Sequence, residues 1–330
     1  MNERDKLAGC IIGLAVGDAL GVPHEFKNQR NNIYTGLLYL IPTFTFRNGT
    51  RRDVIGQYSD DTEMSLCILR SVIQQGHYDR NQMILSYEKW AEHSKAMGKN
   101  TRALLKGVKT ISGYQKRYQK IFGVPVSEWT QSNGSLMRAA ILAFVKDRTA
   151  IIEDCTLTNP HPINIQCNII YCFMITVCNY PKHLVIEVII EDNYYPEILD
   201  TIREAIQDVP TTAHSPDNHQ RIRNLQAIGK GWVLHGLYCA VWGWYHFESY
   251  QEAIDAIIRR GGDTDTNAAI AGALIGATLG YDKLIQENRT RENIQIVRTA
   301  DFNLGENPRP ADFSLIDFDT MIDNFLLTNH

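Results

Sequence analysis

The sequence predicts an all-α fold, and three observations carry that prediction. Apolar residues recur at three- and four-residue spacing along most of the chain. One stretch alone, residues 33–46, is rich in strand-forming Tyr, Leu, Thr and Phe. The segment at about 267–280 (NAAIAGALIGATLG) has almost no polar face, as expected of a helix buried on most sides. Helices packed on helices follow, with a small hairpin near residues 33–46 as the one β candidate.

Taken in order, residues 5–20 read as a helix, because Leu7, Cys10, Ile11, Leu14 and Ala15 share a face. Gly9, Gly13 and Gly17 weaken it by about 1 kcal/mol each relative to Ala, which points to a neighbouring backbone passing close by. Further helices are expected at about 62–75, 79–93, 100–113, 133–146, 163–178, 197–207, 226–246, 249–259 and 266–279. Thr211 to Asn218 is a loop by composition. The tail from Glu287 is polar, and Pro308 and Pro310 interrupt it. Its apolar end, with Phe318, Met321, Ile322, Phe325 and Leu326, can dock as a helix. No repeat or linker divides the chain. A single domain over 1–330 is therefore expected, with a core over about 5–282 and a C-terminal extension over 283–330.

Composition narrows the function. The 330 residues are 44% hydrophobic and 21% charged, ordinary for a globular protein. A net charge of -4 gives no support for nucleic-acid binding through a cationic face. Seven cysteines, an odd number with no CxxC pair, argue against a disulfide framework or structural zinc and for reduced core thiols. The N-terminus does not read as a signal peptide. The longest apolar runs, such as 168–177, read as too short to span a bilayer. A cytoplasmic monomer with no membrane partner is the expectation.

Two acidic clusters stand out. Ser59-Asp60-Asp61-Thr62-Glu63 opens one predicted helix, and Gly262-Asp263-Thr264-Asp265-Thr266 opens another about two hundred residues later. Each by itself reads as helix capping, with Asp60 and Glu63 fitting a capping box. Together they suggest more. If the two helix starts meet, four carboxylates share a small volume and raise one another's pKa. Divalent cations resolve that repulsion. With only oxygen ligands at hand, the choice is Mg²⁺, Mn²⁺ or Ca²⁺ rather than zinc. A buried helix that begins with two aspartates also needs those charges paired or coordinated.

Four blocks in order resemble the ADP-ribosylglycohydrolase family: GxxxGDALGVPHEF (Gly13 to Phe26), SDDTEMS (Ser59 to Ser65), NGSLMR (Asn133 to Arg138) and GGDTDTNAAIAGALIGA (Gly261 to Ala277). The similarity runs from about Leu7 to Gly280. It implies an all-α fold with two divalent cations, Mg²⁺ or Mn²⁺, held by Ser59, Asp60, Asp61, Asp263, Asp265 and Thr266. It implies a substrate loop over Asn133, Gly134, Ser135, Met137 and Arg138, with a further one at Gly98, Asn100 and Thr101. Trp232 aligns with an aromatic that can stack on adenine; as a plain reading it is a core tryptophan. Arg138 can pair with a phosphate or cap its own helix. Glu25, Asp60 and Asp61 are the candidates for handling the proton of the attacking water or of the leaving group.

Two departures bear on the leaving group. Ala96 and Met97 stand where members acting on ADP-ribosyl-arginine often carry an Asp, and Thr158-Asn159 replaces a Thr-His pair, with His161 two residues on. The reaction implied is hydrolysis of the N- or O-glycosidic bond between ADP-ribose and a modified protein side chain or another acceptor, a nucleic acid entering only as a modified substrate. The alternative is a non-catalytic ADP-ribose binder or structural member. The intact aspartates argue against it. Among the remaining residues, His24 and the cysteines read as structural, and Arg51-Arg52 as a solvated loop.

Overall fold

Helices make up nearly all the regular structure of the residues described in this computed structural model, namely 1–26, 34–38, 43–46, 49–52, 54–94, 96–210, 231–301, 304 and 308–328. Helix α1 (Glu3–Gly21) precedes a hairpin of β1 (Thr43–Phe46) and β2 (Gly49–Arg52). There follow α2 (Asp60–Gln75), α3 (Arg80–His93), α4 (Lys99–Leu105), α5 (Ile111–Phe122), α6 (Leu142–Val145), α7 (Arg148–Thr158), α8 (Pro162–Thr176), α9 (Lys182–Glu191) and α10 (Pro196–Gln207). The chain ends with α11 (Val233–His246), α12 (Tyr250–Arg260), α13 (Thr264–Leu279), α14 (Tyr281–Leu284), α15 (Asn288–Thr299) and α16 (Phe318–Thr328).

The all-α expectation holds, and the differences from it are local. The hairpin lies later than expected: Thr43 pairs with Arg52 and Phe46 with Gly49, antiparallel. Arg51 and Arg52 therefore sit in a strand rather than a loop, while residues 33 and 39–42 lie outside the described set. The helix expected over 100–113 stops at Leu105, and α5, which runs from Ile111 to Phe122, lies mostly beyond the expected range. Gly107 takes a positive φ of 69°, and Thr110 then caps α5 by accepting from Gly113 N at 3.1 Å. The helix expected over 133–146 is a 3₁₀ turn, Leu136–Ile141, followed by the single turn of α6. Helices α7, α9 and α15 were not expected. The helix expected over 226–246 begins at Val233; its first residues, and the loop expected at 211–218, lie outside the described set.

The middle of the molecule is α1 against α13, two helices whose backbones touch. Gly9 faces Gly276, Gly13 faces Gly272 and Gly17 faces Ala268. A Cβ placed on Gly13 would fall on the carbonyl oxygen of Gly272, and the converse holds for Gly272. The glycines that weaken α1 locally thus permit its main tertiary contact. Neighbouring hydroxyls fasten the pair. Tyr250 donates to Gly13 O at 2.6 Å, Tyr171 to Ile270 O at 2.7 Å, and Thr264 to Gly21 O at 2.8 Å. One expectation is corrected by this helix: within residues 3–24 an 18-residue window, with mean hydropathy 1.5, is long and apolar enough to cross a membrane, yet that window is wholly buried within the fold.

All seven cysteines are buried and free. At the C-terminus, Phe318, Met321, Ile322 and Phe325 of α16 are buried against α2 and α1. A polar knot lies deep between α7 and the 3₁₀ turn. Arg138 and Asp154 are both fully buried, with Nε to Oδ2 at 2.8 Å. Arg138 also donates to Asp154 O at 2.9 Å, to Thr158 Oγ1 at 3.1 Å and to Gly134 O, and its guanidinium lies over the Tyr87 ring. Tyr87 donates to the other Asp154 oxygen at 2.7 Å.

Two stability outcomes follow. Gly13→Val forces the two backbones apart and is expected to cost about 3 kcal/mol, read as a lower denaturant midpoint. Asp154→Ala leaves the Arg138 charge buried without its partner, at about 3–5 kcal/mol. Calorimetry on each variant, at one pH and salt, measures both.

Candidate active site

The contact between α1 and α13 decides where the acidic residues meet. At the C-terminal end of α1, Gly21 lies against the backbone of Asp265, so the chain leaving α1 passes directly over the start of α13. Phe26 N then donates to Gly262 O at 2.8 Å, which fastens the Glu25–Phe26 corner to the Gly261–Gly262 turn. Carboxylate oxygens of Glu25, Asp263 and Asp265 consequently fall within 4.8 Å of one another.

The start of α2 reaches the same place through Asp18, a residue that the sequence reading passed over. Asp18 is fully buried on α1. One of its oxygens accepts from Ser59 N at 2.9 Å, and the other accepts from Thr62 N at 3.0 Å and Thr62 Oγ1 at 2.6 Å. The free N–H groups of the first turn are thus satisfied largely from another helix. The expected capping box is absent: Ser59 is the N-cap, and Glu63 turns to Trp90 instead, accepting from Nε1 at 2.8 Å. Asp263 does not cap α13 either; its carboxylate accepts from Asn133 Nδ2 at 2.8 Å. Asp18 had one legible signal: it is the one charged residue in the stretch from Leu7 to Gly21.

The electrostatics follow from this proximity. Burial, then the Asp18 carboxylate, pushes Asp60 up to about 7, with Glu63 and Asp263 adding to it. Burial is also the first cause for Asp61, which is pushed well above the carboxylate range with Asp18, Asp60 and Asp263 contributing. Asp265 is raised by burial, then by Glu25, Asp263, Asp61 and Asp18. Asp263 is raised by burial against the opposing bond from Asn133. Burial takes Asp18 itself to about 6.

Above the cluster opens a cavity of about 570 Å³, within the usual range for small-molecule sites. Glu25, Asp60, Asp263, Asp265 and Thr266 line its acidic end. The remainder is formed by residues 96–98 with the first turn of α4, the loop 130–134 with Met137, and Gly231–Trp232, so Gly98, Asn100, Thr101, Asn133, Gly134, Met137 and Trp232 all line it. Phe26, Lys99, Thr130, Gln131 and Ser132 join them without having been singled out. A β-bridge from Ser132 to Trp232 ties two of these walls together, and Trp232 Nε1 donates to Gln131 Oε1 at 3.0 Å.

Four expected residues lie elsewhere. Arg138 is locked to Asp154 beneath the cavity, out of reach of a phosphate. Ser135 is fully buried, and its hydroxyl accepts from Asn168 at 3.1 Å. Ser59 and Asp61 sit behind the cavity wall, the Ser59 hydroxyl donating to Asp61 Oδ2 at 2.6 Å. His161 caps α8 through Ile163 N, and Asn159 holds Ser132 by its amide. His24 is buried edge-on against Tyr34, as its structural reading required.

The donor set suits a hard cation. It consists of carboxylates and hydroxyls, and the buried Asp61 Oδ1 has no hydrogen-bond partner among the described residues. A sequence model of the ADP-ribosylglycohydrolase family matches residues 1–305. A protein of Acanthamoeba polyphaga mimivirus, provisionally named an ADP-ribosyl glycohydrolase, is 27% identical over 311 residues, covering 84% of this chain and 88% of its own. An ADP-ribosylarginine hydrolase of Pseudomonas putida is 24% identical, covering 86% of this chain and 73% of its own. A solved structure described as an ADP-ribosylglycohydrolase-related protein complex superposes with a TM-score of 0.69 at 19% identity, over 99% of both chains, and so shares the fold. The chain belongs to the ADP-ribosylglycohydrolase family and is an enzyme of the glycosidic hydrolase class.

Proposed function

We propose that this enzyme releases ADP-ribose from a modified protein side chain, with two divalent cations, Mg²⁺ or Mn²⁺, held among Ser59, Asp60, Asp61, Asp263, Asp265 and Thr266. The observation that carries the reading is the meeting of carboxylates from two distant helix starts at one end of a single cavity. The wholly oxygen donor set and the partnerless Asp61 Oδ1 support the cations. The name of the Pseudomonas relative supports a side-chain conjugate as substrate. When bound, the cations would act as Lewis acids that polarise substrate oxygens and lower the pKa of water.

The chain's own groups account for the remaining steps. Trp232 offers a ring face for the adenine. With Arg138 withdrawn, Lys99 is the cation on the cavity wall that can face the diphosphate. Asn133 holds Asp263 in place by its amide. Water adds to the anomeric carbon as the bond to the side chain breaks, through an oxocarbenium-like transition state. Glu25, at the exposed edge of the acidic end, accepts a proton from that water or returns one to the departing group. Ala96 and Met97 line the cavity without a carboxylate, so a leaving guanidinium finds no acidic partner on that loop.

Replacing Asp60 and Asp61 together by Asn is expected to reduce release by at least about 100-fold, and chelation should stop the wild-type enzyme. The assay follows free ADP-ribose from Arg-, Ser- and nucleic-acid-linked conjugates with Mg²⁺ and with Mn²⁺. Full activity in the double variant on any conjugate the wild type cleaves would falsify the assignment. Tight ADP-ribose binding without release from any of them would favour the non-catalytic alternative.

The raised carboxylates also set a pH dependence. Without a cation, the folded cluster keeps protons that an unfolded Asp loses near pH 4. Stability from these groups therefore falls as pH rises from about 4 to about 7, where Asp60 ionises. A bound cation opposes that loss. Mn²⁺ should thus raise the Tm more at about pH 8 than at about pH 5.5. Equal shifts at both pH values would count against the cluster as the binding site.

A further inference from the structure

A second buried charge pair lies on α2 beside the cavity but outside its lining. Glu63, one turn into the helix, is fully buried and forms no part of the cavity lining. One of its oxygens accepts from Trp90 Nε1 at 2.8 Å. The other meets the guanidinium of Arg309, which is also fully buried. Beyond that ion pair, the Arg309 Nε and Nη2 groups have no hydrogen-bond partner among the described residues. Arg309 comes from the C-terminal segment, past residue 305, where the match to the family ends.

This segment is strapped along α2 at both ends. Tyr58, just before the helix, donates to Phe313 O at 2.9 Å. Arg70, in its last turns, donates to Asp312 O at 2.8 Å and Ser314 O at 3.2 Å, and pairs with Asp317 at 2.7 Å. Just before these anchored residues Arg309 carries its charge into the interior, where it touches the turn that holds Asp60 and Asp61. A buried ion pair is a poor stabilising device, since apolar residues of similar volume commonly do as well or better. It is directional, however. Glu63 is held from one side by Trp90 and from another by Arg309, which fixes the rotation of α2 about its axis. Metal ligands need that fixity, because workable coordination distances span only about ±0.2 Å.

We propose that Arg309 is a positioning residue for the acidic cluster: through Glu63 it sets how Asp60 and Asp61 stand opposite Asp263 and Asp265. The proposal rests on the reading of that cluster as a metal centre. It makes the C-terminal strap a working part of the site rather than a covering on it.

The test is the full-length double variant Glu63→Gln with Arg309→Met, which removes both charges and leaves the net charge unchanged. Mn²⁺ binding to the metal-free protein is measured by calorimetry beside the Tm. A Tm close to that of the wild type, with a Kd for Mn²⁺ raised by about 10-fold or more, is the expected result. Arg309→Lys alone, which keeps the charge without the planar fork, should fall between the two. A double variant that binds Mn²⁺ within about twofold of the wild type overturns the proposal and leaves the metal reading intact. If the double variant does not fold, Arg309→Lys decides, and a wild-type Kd there overturns it. A wild-type chain that takes up no Mn²⁺ sinks the metal reading, and this proposal with it.

Discussion

The contact on which everything else depends is the one between α1 and α13, where backbone meets backbone because side chains are missing. Gly9, Gly13 and Gly17 on one helix, with Gly272 and Gly276 on the other, let two helical segments approach more closely than any alanine pair would. That approach continues to Gly21 beside Asp265. It brings the loop after α1, with Glu25, onto the turn before α13, and lets Asp18 reach the first turn of α2. Three segments far apart in the chain thereby present carboxylates to one space. The site is a consequence of helix packing, not of any local loop design.

Such a packing has an electrostatic penalty built into it. Asp60, Asp61 and Asp265 are raised mainly by burial, and neighbouring carboxylates add to that. The fold offsets this only in part. Asn133 donates to Asp263, and Ser59 donates to Asp61. Nearby, Glu63 and Asp154 carry the same liability, and each is answered by an arginine. Asp60, Asp61, Asp263 and Asp265 have no such ion pair among the described residues. That lack of countercharge supports the divalent cations proposed above.

Much of this was legible in the chain itself. The two SDDT and GDTD segments stood out because acidic groups concentrated at predicted helix starts are unusual twice over, and the small-residue run of α13 announced burial. The glycines of α1 announced a close neighbour without saying which. Three kinds of residue could not be read. Arg138 carried an ambiguous charge, and only the buried Asp154, sixteen residues on, decides for structure over phosphate. Asp18 acts on backbone groups more than forty residues away, a pairing that no local pattern encodes. Helix α15 was missed because only Thr290, Asn293, Ile294 and Val297 on it are buried, too thin an apolar stripe to register against its charged remainder.

The burial of α1 from Leu7 to Gly21 also has a bearing on how the protein is made. Its partner begins 243 residues after it ends, as the bond from Thr264 to Gly21 records. At about 5–20 residues per second, roughly 12–50 s of synthesis separate the two. Throughout that interval an apolar segment long enough to resemble a membrane span has no α13 to cover it. The assembly step that creates the cavity therefore comes late, and the growing polypeptide is most exposed to trigger factors, chaperones and mistaken association before then.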